Sequence, residues 1–169
     1  MTTTNGGENG PRLDATVERL ERRADAVELT IRLVNPSQQR AMHYISDVRG
    51  IVFDEAAGRF VVRLTDEGRE VIPGAVDRLP NFARVDPDST ALLPLRLPGS
   101  IVRMRTPAVP TAEVELERHE LGPDAEIEVV IGLSDTPFYP DPREPTRRPP
   151  SILAWEKTQA RCVVPRRKR

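Results

Sequence analysis

Cysteine is nearly absent from this sequence, because its 169 residues include one, Cys162. A single thiol can form neither an internal disulfide nor a zinc cage, so neither can hold the fold together. Apolar runs are only a handful of residues long, whereas a membrane-spanning helix needs roughly 20. The opening residues MTTTNGGENG lack the basic and apolar pattern of a signal peptide. We therefore expect a cytoplasmic protein without a membrane span, stabilised by its core alone.

Aromatic residues are also scarce, at 4% of the chain, whereas prolines number 17. This balance argues against a bundle of long helices and favours short elements separated by turns. Net charge is unevenly distributed, since residues 1–142 carry −8 and residues 143–169 carry +7. Opposed signs within one chain indicate either a tail that folds back on its own body or a tail that binds an anionic partner.

The composition divides the chain into four parts. Residues 1–12 have almost no apolar side chains to bury, so we expect a disordered N-terminal tail. Residues 13–134 carry the alternating apolar pattern of a β domain. Residues 135–150 form a proline-rich linker, in which regular helix is excluded and extended chain is favoured. Residues 151–169 form a basic tail with an apolar anchor segment.

Within 13–134 the dominant period is two, which is typical of strands with one buried face. The segment AVELTIRLV is the clearest strand, and the segments MHYISDVRGIVF and RFVVRLT predict a hairpin through residues 54–58. The stretch 66–89 is expected to be irregular and to lie over a sheet edge. Pro94 marks the next strand as an edge or a bulge. The segments TAEVELERHEL and EIEVVIGLS predict a second hairpin. The core is expected to contain Leu29, Ile31, Leu33, Val62, Leu64, Leu95, Ile127, Val129 and Ile131.

Short strands with regular turn signals predict an all-β protein, a two-sheet antiparallel sandwich of six to eight strands. The succession AVELTIRLVNPSQQ, YISDVRGIVFDEAAGRFVVRLTDEG, DSTALLPLRLP and VELERHELGPDAEIEVVIGL resembles the strand order of cytosolic bacterial immunoglobulin-like or fibronectin-type-III-like sandwiches. The resemblance implies an immunoglobulin-like fold over residues 13–134 and implies no particular function.

No motif of nucleophilic, phosphate-binding or metal chemistry is present in the sequence. His43 and His119 have no ligand-like spacing, so we interpret both as ordinary strand residues. We therefore expect no catalytic residues, no cofactor and no metal.

The glutamates of the second predicted hairpin form the first candidate binding surface. Glu113, Glu115 and Glu117 share one face of their strand by the two-residue period, and Glu126 and Glu128 share a face of the predicted partner strand. A basic group should lie beside them, because like charges across a ladder repel; Arg118, Arg32 or the tail could provide it. The surface is either a solvated outer face or a docking surface for a partner.

The tail is the second candidate. Its apolar anchors and basic end are Ile152, Leu153, Trp155, Arg166, Arg167, Lys168 and Arg169. A tryptophan among aliphatic residues is a common interface anchor. The segment could equally be a helix or an added strand that packs on the sandwich itself. Specific nucleic-acid recognition is not expected, since no aromatic residues are interleaved with the basic ones.

The leading functional hypothesis is a non-catalytic protein-interaction or accessory module of a bacterial cytoplasmic complex, which binds another protein through the sandwich surface and the basic tail. An intracellular protease inhibitor or regulator that uses residues 66–89 as its reactive surface is the alternative. A ligand-binding or enzymatic domain with a pocket between the sheets is the third hypothesis.

Overall fold

The computed structural model describes residues 10–23, 25–65, 80–105, 115–122, 124–137 and 159–164. These residues form strands, turns and loops, which confirms the all-β class. The strands are β1 (Asp14–Arg22), β2 (Ala26–Val34), β3 (Met42–Ile45), β4 (Gly50–Asp54), β5 (Arg59–Leu64), β6 (Phe82–Val85), β7 (Thr90–Pro98), β8 (Ser100–Arg105), β9 (Glu115–Glu120), β10 (Glu126–Ser134) and β11 (Gln159–Val164). In these ranges, no helix is long and apolar enough to cross a membrane.

The smaller of the two main sheets is antiparallel and has the strand order β1-β2-β7. Its central strand, β2, buries alternate residues from Val27 to Leu33, as the period of two predicts. Pro94 lies on β7, which is an edge strand of this sheet. The predicted edge position is thereby confirmed, since proline cannot donate a hydrogen bond to a further strand.

The larger sheet has the order β4-β5-β10-β3-β6, and β11 also pairs with β10. β10 is therefore its central strand, with antiparallel partners in β3 and β11. β5 runs parallel to β10, with Phe60 opposite Ile127 and Val62 opposite Val129. The prediction of a purely antiparallel arrangement is wrong at this pair.

One apolar cluster joins residues of both sheets, including Ile31 and Leu95 of the small sheet and Val62 and Ile131 of the large one. All nine residues predicted to be buried are at most 6% exposed. β1 also lies beside β11, so the two sheets approach each other at that side. The arrangement is compatible with a β-sandwich.

The first predicted hairpin is confirmed as β4–β5. Its loop ends at Gly58, whose φ of 62° is a conformation that glycine adopts without strain. The Asp54 side chain accepts a hydrogen bond from the Ala57 N–H at 3.1 Å, which closes the turn.

The second predicted hairpin is wrong. β9 pairs with β8, in a separate two-stranded sheet, and β10 pairs with β5, β3 and β11. Two alternating segments joined by a short turn predict a hairpin, but the choice of partner strand depends on contacts that are distant in the sequence. We call β8–β9 the ribbon.

Three strands had not been predicted, namely β1, β6 and β8, and the described residues therefore contain more strands than the expected six to eight. In β1 the register shifts between Val17 and Arg19, which interrupts the period of two. β6 has four residues and falls inside the stretch that was expected to be irregular, at the edge of the large sheet.

Asn35 ties together the loops that follow β2 and β6. It is fully buried, and its side-chain amide donates to the carbonyl oxygens of Arg40, Val85 and Asp86 at 2.8, 3.1 and 3.1 Å. Its side-chain oxygen accepts from the Ser37 N–H at 3.0 Å. All polar atoms of this amide are thus paired, as burial requires.

Part of the predicted tail belongs to the large sheet. β11 pairs with β10 from Ile127 opposite Val164 to Gly132 opposite Gln159. Ala160 and Cys162 are buried in the common core. Of the alternatives that the sequence leaves open for this segment, an added strand is the one found for residues 159–164, and it lies on the large sheet.

Candidate interaction surface on the ribbon

The ribbon begins directly after the small sheet, since only Gly99 separates the end of β7 from the start of β8. The Gly99 N–H donates to the Asp25 carbonyl oxygen at 2.8 Å, and its own carbonyl accepts from the Leu121 N–H at 2.8 Å. The first bond ties the base of the ribbon to the β1–β2 turn, and the second joins the two sides of the base to each other.

Arg22, at the end of β1, holds the chain segment that leaves the ribbon. Its guanidinium donates to the carbonyl oxygens of Gly122 and Ala125 at 2.7 and 2.9 Å. Carbonyl oxygens of a loop need partners when they are partly buried. The connection from β9 to β10 is thereby tied to the small sheet.

The inner face of the ribbon packs on the β4–β5 hairpin. The His119 ring stacks on Phe53, with ring centroids 4.3 Å apart and an interplanar angle of 23°. Phe53 in turn contacts Phe60, at 5.0 Å between centroids. Arg103 forms an ion pair with Glu55 at 2.7 Å. The ribbon is thus attached to both sheets, by its base to the small one and by this face to the large one.

The outer face carries two large apolar side chains in solvent, Val102 at 60% and Leu116 at 67% exposure. Val102 lies opposite Arg118, two positions along β9 from Leu116, so the two are diagonal neighbours on one face. Arg118 donates to the Ser100 hydroxyl at 3.1 Å and pairs with Glu120 at 3.2 Å. An apolar pair is thereby flanked by charges of both signs.

The glutamates of β9 have basic residues opposite them, as the sequence analysis expected, but these residues come from a strand that it did not predict. In the ribbon, Arg105 lies opposite Glu115 and Arg103 opposite Glu117, so β8 supplies the basic neighbours. Of the basic groups that the sequence suggested, Arg32 instead lies 4.0 Å from Glu18.

The two remaining glutamates belong to another sheet, since Glu126 and Glu128 lie on β10. Glu128 is buried and pairs with Arg59 at 2.8 Å. A shared acidic face of β9 and β10 is therefore absent. Glu113 lies outside the described residues.

The predicted contacts of the tail also lie outside the described residues: Ile152, Leu153, Trp155, Arg166, Arg167, Lys168 and Arg169. The described part, β11, is a sheet strand. Of the stretch assigned to an inhibitor's reactive surface, residues 66–79 likewise fall outside, and Phe82–Val85 forms β6.

Both histidines lie in strands, as the sequence predicts. His43 is buried on β3, opposite Ser134 and Arg84. His119 has a carboxylate oxygen of Glu117 at 3.6 Å from its Nε2. Within the described ranges, no group of three or more histidine, cysteine or acidic side chains is placed to hold a metal ion.

Two open depressions lie on the surface of the described region. One, of about 530 Å3, is lined by the start of β1, the β2–β3 loop and Asp135, which pairs with Arg40 at 2.8 Å. The other, of about 260 Å3, lies over β2 and β7 near Arg19 and Arg96.

Charge and burial shift the pKa values of Glu21, Tyr44 and Cys162 from their ordinary values. A side-chain hydrogen bond from Arg19 lowers the pKa of Glu21, which lies at the surface. Burial raises the pKa of Tyr44 and that of the Cys162 thiol. These groups lie away from the ribbon's outer face, and the shifts of Tyr44 and Cys162 reflect their positions in the core.

Sequence reasoning missed the two exposed apolar residues. The period of two in TAEVELERHEL separates Leu116 from the face of Glu115 and Glu117, but it does not tell which of the two faces points to solvent. The alternation correctly predicts that one face of β9 is apolar. In the structure this apolar face points outward, and the opposite face, which carries His119, packs on the β4–β5 hairpin. Comparisons with protein-family models, with curated proteins and with solved structures found no match to this chain.

Proposed function

We propose that this protein is a non-catalytic interaction module, an immunoglobulin-like sandwich that binds a protein partner in a bacterial cytoplasmic complex through the outer face of its ribbon. The observation that carries the proposal is the adjacent pair Val102 and Leu116, at 60% and 67% exposure, on a ribbon attached to the body by its other face. Exposed apolar patches rimmed by polar groups are typical of protein-binding sites.

The partner surface that fits this face is apolar at its centre and charged at its rim. Val102 and Leu116 would lose water on binding, and Arg118 with Glu120 would remain at the polar edge, where charges set orientation more than affinity. The attachment of the ribbon by its base and by its inner face holds these residues in place before binding, which reduces the ordering cost of association.

The tail contacts are part of the same proposal. The anchor residues Ile152, Leu153 and Trp155 precede β11 in the sequence, Trp155 by four residues. The basic end Arg166, Arg167, Lys168 and Arg169 would add a contribution that weakens as salt rises, whereas an apolar contact through Trp155 would persist.

The test compares three proteins in affinity capture from native cytoplasm, followed by binding measurements with the purified partner. They are the unchanged chain, the double variant Val102→Ser/Leu116→Ser, and the control Leu92→Ser. Leu92 is 58% exposed but lies on β7, away from the ribbon. We expect the double variant to lose at least about tenfold in affinity, as interface anchors do, and the control to bind normally. Equal binding by all three proteins would contradict the proposal.

A further inference from the structure

Each of the consecutive strands β7 and β8 is paired on one side only. β7 pairs with β2, and β8 pairs with β9. Within the ranges that the structure describes, no strand pairs with the second side of either one. We call this side of β8 its free edge. An unpaired edge offers backbone N–H and C=O groups to an extended chain that lies beside it, and the hydrogen bonds at the strand ends show which residues supply these groups.

On β8 the outward backbone groups belong to Ser100, Val102 and Met104. Opposite residues of an antiparallel ladder alternate between pairs that are hydrogen bonded to each other and pairs that are not. The Leu121 N–H donates to the Gly99 carbonyl at 2.8 Å, and these two residues continue the β8–β9 register by one position. They therefore form a bonded pair, and by alternation the N–H and C=O groups of the even-numbered residues of β8 point away from β9.

On β7 the corresponding edge is interrupted by proline. The Asn35 N–H donates to the Ser89 carbonyl at 2.9 Å, which continues the β2–β7 register and makes the odd-numbered residues of β7 the bonded ones. The even-numbered positions point outward and include Pro94 and Pro98, which have no N–H. A further strand would leave its own acceptors unpaired along β7. β8 contains no proline, so its free edge has every donor and acceptor in place.

The charge of β8 indicates what kind of strand would pair with it. Its sequence, SIVRMR, contains two arginines, Arg103 and Arg105, and no acidic residue. In the ribbon, a glutamate of β9 lies opposite each of them. Arg103 also pairs with Glu55 at 2.7 Å, but its side chain stays 53% exposed, and a guanidinium has several N–H donors. A strand on the free edge would meet the same two arginines from the other side.

We infer that the free edge of β8 binds an extended acidic segment of the partner protein as an added antiparallel strand. Its backbone would pair with Ser100, Val102 and Met104, and its acidic residues would lie opposite the two arginines. β9 shows the pattern that fits, since its sequence ELERHE begins with glutamates at alternate positions. The residues between the acidic ones would lie beside Val102, which is 60% exposed. This inference rests on the proposed function, because it states how the partner's chain binds next to the outer face of the ribbon.

The probe is a synthetic peptide with the sequence of residues 115–121, ELERHEL, with acetyl and amide groups on its ends, added to the full chain. In the register of the ribbon, its even-numbered residues would bond to the free edge of β8. At about ten times its dissociation constant, the peptide should slow amide hydrogen exchange at Ser100 and Val102 about tenfold, because bound amides are protected. Unchanged exchange at both amides would overturn the inference.

Two methylated peptides of matched composition test the backbone pairing. N-methyl groups at the positions of Leu116, Arg118 and Glu120 block the donors that would face β8, so this peptide should not protect Val102. N-methyl groups at positions 115, 117 and 119 would point away from β8 and should leave the protection in place. A shift of the register by two residues keeps this difference. Equal binding by the two peptides would show that the peptide does not bind as a strand.

A third peptide tests the preference for acidic residues. It carries glutamine at all glutamate positions of the first peptide, so it has the same length and the same backbone donors. We expect it to bind at least about threefold more weakly at low salt, as the loss of exposed ion pairs implies, and to lose this difference at high salt. Equal affinity at low salt would contradict the acidic character of the segment.

Two proline variants of the chain move the test to β8 itself. Val102→Pro removes one outward N–H and no hydrogen bond to β9, and it keeps an apolar side chain. It should lose peptide binding, while slow exchange at Ile101 and Arg103, whose amides are bonded to β9, shows that the ribbon is intact. If these two amides exchange fast, the methylated peptides, which leave the chain unchanged, decide the question. The control Leu92→Pro removes an outward N–H of β7 and should bind normally. Normal binding by Val102→Pro, or equal loss in both variants, would overturn the inference.

Binding of the purified partner separates this inference from the proposed function. Val102→Ser/Leu116→Ser removes the apolar pair and keeps every outward N–H, whereas Val102→Pro does the opposite. We expect both variants to lose affinity for the partner. A partner that binds Val102→Pro normally but not the double serine variant would support the proposed function and overturn the strand addition. A partner that binds only the double serine variant would support the strand addition and overturn the role of the outer face.

Discussion

His119 of the ribbon stacks on Phe53 of the β4–β5 hairpin, with 4.3 Å between the ring centroids. The contact joins a strand that continues from the small sheet to a hairpin of the large sheet. A two-stranded ribbon is at best marginally stable by itself. Its attachment to Phe53 therefore acts together with the contacts at its base and the Arg103–Glu55 ion pair to keep the outer face, with Val102 and Leu116, in a fixed position.

Replacing His119 with alanine should release the inner face of the ribbon from the body. An aromatic pair contributes about 0.5–1.5 kcal/mol in addition to the stabilisation from the apolar area it buries. We therefore expect a modest loss in the free energy of unfolding of the whole protein and a larger increase in the local opening of the ribbon. Hydrogen exchange should become faster in Ser100–Arg105 and Glu115–Glu120. The variant His119→Phe retains the stacking and should exchange like the unchanged chain; equally fast exchange in both variants would show that stacking is not what holds the ribbon.

Asn35 should tolerate alanine better than aspartate, although aspartate is closer in shape. Alanine removes hydrogen bonds, at about 1–3 kcal/mol for the groups left unpaired. At neutral pH, aspartate would also place a buried, negatively charged carboxylate next to the carbonyl oxygens of Arg40, Val85 and Asp86. These oxygens accept hydrogen bonds and need a donor, which a carboxylate cannot provide.

The aspartate variant adds a dependence on pH. Burial raises the pKa of such a carboxyl, so its protonated form, which can donate, is favoured in the folded state. The Asn35→Asp variant should therefore be most stable at a pH below the ordinary pKa of aspartate. It should lose stability as the pH rises through the raised pKa of the folded state. Urea unfolding of both variants across pH measures this difference, and a pH-independent gap between them would contradict it.

The two ion pairs of the β4–β5 region should differ sharply in their contribution to stability. Replacing Arg59 with methionine leaves the Glu128 carboxylate, 8% exposed, without its partner, and breaking a buried pair in this way costs about 3–5 kcal/mol. Replacing Arg103 with methionine breaks the pair with Glu55, whose members are 53% and 62% exposed, at a cost of about 0–1 kcal/mol. Thermal or urea unfolding compares the free energy of unfolding of the two variants. Similar losses of stability would show that the burial of Glu128 does not determine what its ion pair contributes.

Cys162 reports directly on whether β11 stays in the sheet. Burial raises the pKa of its thiol, so at neutral pH the reactive thiolate is rare and shielded. A thiol reagent should react with the folded chain only as fast as β11 leaves β10, and quickly once urea unfolds it. Because folding raises the pKa of the Cys162 thiol, the protonated thiol stabilises the folded state. This stabilisation is complete at a pH below the ordinary thiol pKa, and it is lost as the pH rises through the raised pKa of the folded protein.

The matched control for that measurement is Arg161→Cys/Cys162→Ser, which moves the thiol to the exposed neighbouring position on the same strand. Its thiol should react at once in the folded protein. If Cys162 in the unchanged chain reacts equally fast, β11 is not held in the core.

The core was predictable from the sequence because a strand with one buried face repeats every two residues. Ile31 and Val62 follow this period and are buried. The pairing of strands was not predictable, since nothing local distinguishes β5 from β9 as a neighbour of β10. In β1 the register shift after Val17 breaks the period, and so a nine-residue strand was missed.

The candidate surface was predictable only in part. The pattern of β9 places Glu115 and Glu117 on one face and Leu116 on the other, and the structure agrees. Which face meets the body depends on the partner strand and on the hairpin that the ribbon contacts, and both are far away in the sequence. The sequence therefore assigned a binding role to the glutamate face of β9 and none to its apolar face. In the structure Leu116 of the apolar face is the exposed side chain.

The central position of β10 also determines when the large sheet can form. β3 and β5 are synthesised 70 residues or more before β10 is complete, which at about 5–20 residues per second corresponds to a delay of several seconds. Throughout that time the edges of β3 and β5 that pair with β10 in the folded sheet have no partner strand. Folding dominated by such distant pairings is slow, so during synthesis the inner edges of β3 and β5 wait for β10 as open sites for mispairing.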